Sequence, residues 1–142
     1  MKFGHEQLDV YQLSLKYVAR AYSLAKRLEG ADRYAKDQLL RASQSITQNI
    51  AEGNGKGTEA DRRRFFEISR GSALECASIQ DILEVCGVIG VNENEEGKAM
   101  LVRIVSMLTK LGKRDYDVRE DSAPYGEHDN DNDNDHDHEN AR

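Results

Sequence analysis

The chain has 142 residues and a formal net charge of −6, with 38% hydrophobic and 32% charged residues. That length holds one domain with one sizeable core, and the balance suits helices with one buried stripe and one wet face. No run approaches the roughly 18 apolar residues of a membrane span. Met1 to Gln7 has no hydrophobic leader segment, so a cytoplasmic location is expected.

The charge is unevenly placed. Residues 1–114 carry 18 Lys/Arg against 15 Asp/Glu, whereas residues 115–142 carry 2 against 11. The body is mildly basic and the end strongly acidic. The only Pro is Pro124, so nothing before it interrupts helices at the cost of about 3 kcal/mol that an internal Pro carries.

The first helix is expected from Gln7 to Leu28, stopped by Gly30. Val10, Leu13, Tyr17, Ala21, Leu24 and Leu28 share one face. Leu8, Tyr11, Leu15, Val18, Tyr22 and Ala25 form a second apolar set, and Lys16, Arg20, Ser23 and Arg27 a narrow polar wedge. A helix in a monomeric bundle needs one apolar stripe; the excess predicts self-association.

The second helix is expected from Asp32 to Glu52, with Ala35, Leu39, Ala42, Ser43, Ile46 and Ile50 buried and Gly53, Gly55 and Gly57 breaking it. The third starts at Thr58, three residues before Asp61 in the manner of a capping box, and runs to Cys86 or Val88. Phe65, Ile68, Ser72, Cys76, Ile79, Leu83 and Cys86 recur at helical spacing on its core side. Cys76 and Cys86 lie about 15 Å apart along that helix, too far for a disulfide, and read as small core residues in a reducing compartment.

The fourth helix opens near Asn92 or Asn94, with Met100, Leu101, Ile104, Val105, Leu108 and Leu111 inward. Short connections make the whole an all-α, antiparallel up-down-up-down four-helix bundle over residues 1–114. Residues 115–142, rich in Asp, Asn and His, are expected to be a disordered acidic tail, because they bury too little apolar surface to offset ordering entropy.

Catalytic constellations are absent. Gly53-Asn54-Gly55-Lys56-Gly57-Thr58 lacks the earlier Gly of a phosphate loop, since Ile50 stands there, and no strand precedes it. His5 is the only His of the body, and no Glu-x-x-His pair marks a metal bundle. His128, His136 and His138 sit among alternating Asp residues without an EF-hand pattern. No enzyme activity, cofactor or metal is expected. The basic residues carry the functional lead: Lys16, Arg20 and Arg27 on the first helix, with Lys56, Arg62, Arg63 and Arg64 at the start of the third, suit phosphate backbones.

Ser45-Ile46-Thr47-Gln48-Asn49-Ile50-Ala51-Glu52-Gly53-Asn54-Gly55-Lys56, followed by Arg70-Gly71-Ser72-Ala73-Leu74-Glu75, resembles the two motifs of the bacterial four-helix-bundle family of 23S rRNA intervening-sequence proteins. Leu8-Asp9-Val10-Tyr11 resembles the usual opening of that family, and the likeness extends over about residues 6 to 112. The family includes the accessory protein of diversity-generating retroelements, a barrel-like homopentamer that binds nucleic acid and a reverse transcriptase. The resemblance implies the bundle, a pentamer, RNA or DNA as a partner, and a reverse transcriptase or other protein as a second one. Asn49, Glu52, Gly53, Arg70 and Ser72 match motif positions and are expected to be structural, with Arg70 pairing a buried Glu52. Thr47 stands where the family usually has Pro, and the acidic tail is not a family feature.

The function expected is that of a non-enzymatic, homo-oligomeric nucleic-acid-binding or ribonucleoprotein accessory factor. The alternative is a protein-interaction scaffold that never touches nucleic acid.

Overall fold

The computed structural model describes the backbone of residues 1–122 and the side chains of residues 1–113. Four helices follow one another: α1 (Asp9–Ala25), α2 (Arg33–Asn54), α3 (Glu59–Val85) and α4 (Val91–Ser122), with short 3-10 turns at Gly4–Gln7 and Gly30–Asp32. Each helix packs antiparallel against the next, and α4 closes the square against α1. The diagonal pairs, α1 with α3 and α2 with α4, make no backbone approach. No strand occurs among the described residues.

The core runs down the centre of the square. α1 supplies Val10, Leu13, Tyr17, Ala21 and Leu24, α2 supplies Leu39, Ala42, Ile46 and Ile50, and α4 supplies Leu101, Ile104 and Leu108. These are the faces that the apolar spacing marks out. α3 is the exception. Its buried residues are Phe66, Ser69, Ala73, Cys76, Ile79, Gln80 and Leu83; Cys76, Ile79 and Leu83 belong to the expected stripe, but the first half of the helix is rotated, so that Phe66, Ser69 and Ala73 take the inward places expected of Phe65, Ile68 and Ser72. Ile68 is exposed, and so is Cys86, which is therefore not a core residue. The rotation puts small side chains where α2 crosses closely, and Ser69 Oγ donates to the Ile46 carbonyl at 2.7 Å.

Local chemistry sets the helix ends. Thr58 caps α3, its hydroxyl accepting from the Asp61 amide at 3.2 Å, so one orphan donor of the first turn is satisfied. α3 ends in a left-handed Gly87 (φ +78°). There the amide of Val88 returns to the Leu83 carbonyl at 2.8 Å and that of Gly87 to Glu84 at 2.9 Å, a Schellman closure. Val88 and Ile89 then fold inward to lid the core.

Gly53 does not break α2. The helix continues through it to Asn54, and Gly53 is buried. A Cβ there would stand 3.0 Å from both Phe65 Cβ and Phe66 Cε1, so the residue is selected by close packing, not by turn formation. Thr47, in the place of the family's usual Pro, donates its hydroxyl to Ser14 Oγ at 2.9 Å. It ties α2 to α1 without removing a backbone donor.

α4 begins at Val91, slightly ahead of the expected asparagines, and continues to Ser122, beyond Arg114 where the composition turns acidic. The expectation for the remaining acidic stretch, including His128, His136 and His138, falls on residues 123–142, outside those described.

Candidate nucleic-acid interface

Antiparallel packing sorts the charges by end. At the end made by the α2–α3 turn and the late part of α4 stand Lys56, Arg62, Arg63, Arg64, Arg70, Lys110 and Lys113, against Glu52, Glu59, Asp61 and Glu67. Two rings organise the turn. Lys56 Nζ lies 4.9 Å and Arg64 Cζ 5.7 Å from the Phe65 ring centre, and Arg62 Cζ lies 5.6 Å from that of Phe66. A cation over an aromatic face is held without giving up its charge. Arg62 Nη1 also donates to the Asn54 carbonyl at 3.1 Å, fastening the turn. Lys56 approaches Glu52 at 3.5 Å.

Between α3 and α4 at this end lies a cleft of about 230 Å³. Phe66 and Leu108 form its floor, and Arg63, Glu67, Arg70, Thr109, Gly112 and Lys113 its walls. Arg70 is exposed there and does not meet Glu52, which is itself exposed and pairs with Lys56. The antiparallel register explains the correction. Ser69 is opposite Ile46, which leaves Arg70 nearly two turns from Glu52.

The other motif residues are held as internal connectors. Asn49 Nδ2 donates to the Ser45 carbonyl at 2.8 Å and to Ser45 Oγ at 3.0 Å. Ser45 Oγ in turn lies 2.8 Å from Ser72 Oγ across the α2–α3 contact.

Lys16, Arg20 and Arg27 do not join this end. Arg27 grips Glu93 with both nitrogens, at 2.8 and 2.9 Å. Arg20 donates to the Glu93 carbonyl at 3.0 Å and to Glu96 at 3.2 Å. Lys16 stands exposed further along α1. The Glu93 carboxyl is held below its ordinary range, chiefly by the hydrogen bond from Arg27, and Arg27 is raised by the same bond.

This opposite end also holds a buried polar chain that the apolar spacing does not reveal. The Tyr17 hydroxyl donates to Gln80 Oε1. Gln80 Nε2 donates to Asn94 Oδ1 at 2.9 Å, and Asn94 Nδ2 donates to Asp81 at 3.0 Å and Glu84 at 2.7 Å. Lys98 completes the chain on Asp81 at 2.9 Å. Burial, then the Cys76 thiol beside it, pushes Tyr17 above the ordinary phenol range. Cys76 itself is pushed up to about 12 by burial, so it is an inert thiol at neutral pH. Every group in the chain has a partner, which is the condition for a buried polar network to fix a register. Asn94 is thus a core connector and not a helix cap.

These features define the described residues as a small antiparallel bundle with ion pairs and a polar hydrogen-bond chain at one end and a cluster of arginines and lysines at the other. The chain belongs to the 23S rRNA-intervening sequence protein family, whose profile matches residues 6–110. Among solved structures it is similar to a Bacteroides thetaiotaomicron protein of unknown function from the S23 ribosomal protein family. The two are 25% identical with a TM-score of 0.70, over 73% of this chain and 98% of that one. No curated protein matches the chain. Among the described residues no helix is long and apolar enough to cross a membrane.

Proposed function

We propose that this protein is a non-enzymatic, cytoplasmic bundle that assembles with copies of itself and binds RNA or DNA through its basic end, as an accessory to a ribonucleoprotein. The observation that carries the reading is the segregation of charge. At one end Arg20, Arg27 and Lys98 are taken up by Glu93, Glu96 and Asp81. At the other, among the residues whose side chains are described, arginines and lysines outnumber carboxylates. α3 alone has 27 residues and so spans about 40 Å, several times the ~8 Å screening length at physiological salt. The acidic end therefore does not cancel the basic one. The family's name points towards ribosomal RNA, which agrees with a phosphate-seeking surface.

Two apolar strips support assembly. On α1, Leu15 and Tyr22 remain 41% exposed, while the rest of the second apolar set is covered or half-covered by this chain. The larger strip is on α3, where Ile68, Gly71, Leu74, Ser78, Ile82 and Val85 follow one another at spacings of three and four along the outer face, with Ile82 56% and Val85 86% exposed. That spacing lets a helix of a second copy interdigitate. Because α1 and α3 occupy diagonal corners, the strips lie on different faces. Their pairing is head-to-tail, and such contacts form a ring where the rotation from copy to copy closes. The family resemblance favours five copies, and a reverse transcriptase would be an additional partner.

The test is fluorescence anisotropy with a labelled RNA hairpin and a labelled DNA duplex, combined with sedimentation. Binding should weaken steeply from about 50 to 200 mM salt, and Lys56→Glu with Arg64→Glu should abolish it. The particle should exceed the 16.0 kDa protomer and fall apart in Ile82→Glu/Val85→Glu. Salt-insensitive or absent binding by an intact assembly would instead favour a protein-interaction scaffold.

A further inference from the structure

The α3–α4 cleft has a composition that the overall basicity of this end does not require. Arg63 and Arg70 stand two turns apart on one wall, about 10.5 Å along the axis, and Lys113 faces them from α4. Glu67 is the single carboxylate among the described lining residues. The cleft is roomy beside Gly112, where an added Cβ would come no nearer than 4.0 Å to Arg63 Cγ. The hydroxyl proton of Thr109 is spent on the Val105 carbonyl at 2.9 Å, so charged donors dominate the walls. Among the described lining residues, the exposed cations Arg70 and Lys113 beside a single carboxylate, over an apolar floor, suit an anion that accepts hydrogen bonds on several oxygens. One strand of a B-form duplex carries a phosphate for about every 3.4 Å of helix axis, so a wall of this length reaches more than one.

We propose that this cleft is the seat of the nucleic-acid backbone, with Arg70 and Lys113 as its principal phosphate ligands and Arg63 as the third. The inference deepens the reading of the basic end and rests on it. It gives Arg70 a binding role in place of the structural one that its motif position implied. Recognition of this kind reads phosphates and not bases, so affinity depends on salt and little on sequence.

The experiment measures affinity for a short DNA duplex against salt, using the full chain. Each phosphate contact contributes about 0.9 to the slope of log affinity on log salt. Arg70→Ala/Lys113→Ala should therefore flatten the slope by about two. Arg33→Ala/Arg41→Ala removes equal charge from α2 and should leave the slope unchanged. Gly112→Leu fills the cleft without altering charge and should weaken binding several-fold. A steep wild-type slope that none of the cleft variants changes overturns the cleft and leaves the basic end standing. Absence of any salt-dependent binding by the wild type removes both. If the cleft variants lose affinity for a polyaspartate peptide and keep it for the duplex, the site serves carboxylates and the assignment fails.

Discussion

Two glycines show how differently one residue type acts within α4. A Cβ at Gly97 would lie 2.6 Å from Gln80 Nε2 and 2.7 Å from its Oε1, in the middle of the polar chain joining Tyr17 to Asn94. Gln80 cannot retreat without giving up its bonds to Asn94 and Tyr17. Gly97→Ala should therefore destabilise the protein by about 1–3 kcal/mol, the usual result of overpacking, despite the better helix propensity of Ala. Gly112→Ala meets nothing closer than 4.0 Å and should stabilise by about 0.5–1 kcal/mol through propensity alone. Urea midpoints of the two variants measure the contrast; a gain in stability for Gly97→Ala would mean the chain of hydrogen bonds is not as tightly closed as drawn. Neither glycine's role is visible in the sequence, where both look like weak points of a helix.

At the scale of elements, the acidic end holds α1 to α4 by ion pairs and α3 to α4 by the Asn94 and Lys98 bonds to Asp81. Glu93 is depressed mainly by Arg27, and Asp81 mainly by Asn94 and then Lys98. A carboxylate whose folded pKa is lowered contributes stability above its unfolded value, about 4, and that contribution is lost as pH falls through the lower folded value. The raised values of Arg27 and Lys98 would matter only far into alkali. Arg27→Met should then cost about 0.2–1 kcal/mol at pH 7, the range of a partly exposed pair, and less at pH 3, where Glu93 is closer to protonation. Denaturation at the two pH values reads the difference, and an equal loss at both would assign Arg27 a packing role instead. The helices and three of their four core faces were legible because Leu, Ile and Val repeat at helical spacing. The α3 face was legible only in part, at Cys76, Ile79 and Leu83, since Ile68, Ile82 and Val85 repeat just as regularly on its outside. A periodicity argument has no means of choosing between two stripes of similar apolarity when the buried one also carries Ser69 and Gln80.

For the molecule as a whole, the candidate interface was half legible. Lys56 and Arg62 to Arg64 cluster in sequence and remain together in space, whereas Arg20 and Arg27 are drawn to the far end by carboxylates more than sixty residues away. Arg70 and Lys113 meet only through the fold. The overall charge of −6 hides this polarity, because residues 123–142 contribute seven carboxylates against one arginine. These residues follow directly on α4, whose Lys113 lines the cleft. A strongly anionic segment on the same chain as a cationic surface is expected to compete with phosphates as an intramolecular counterion, at a raised effective concentration. Removing residues 123–142 should raise nucleic-acid affinity at low salt, and the gain should shrink as salt screens the tail from the cleft. Truncated and full chains titrated with the same duplex at two salt concentrations give the answer. Equal affinity at low salt would show that the acidic segment does not reach the basic end, in which case its charge serves some purpose other than competition for that surface.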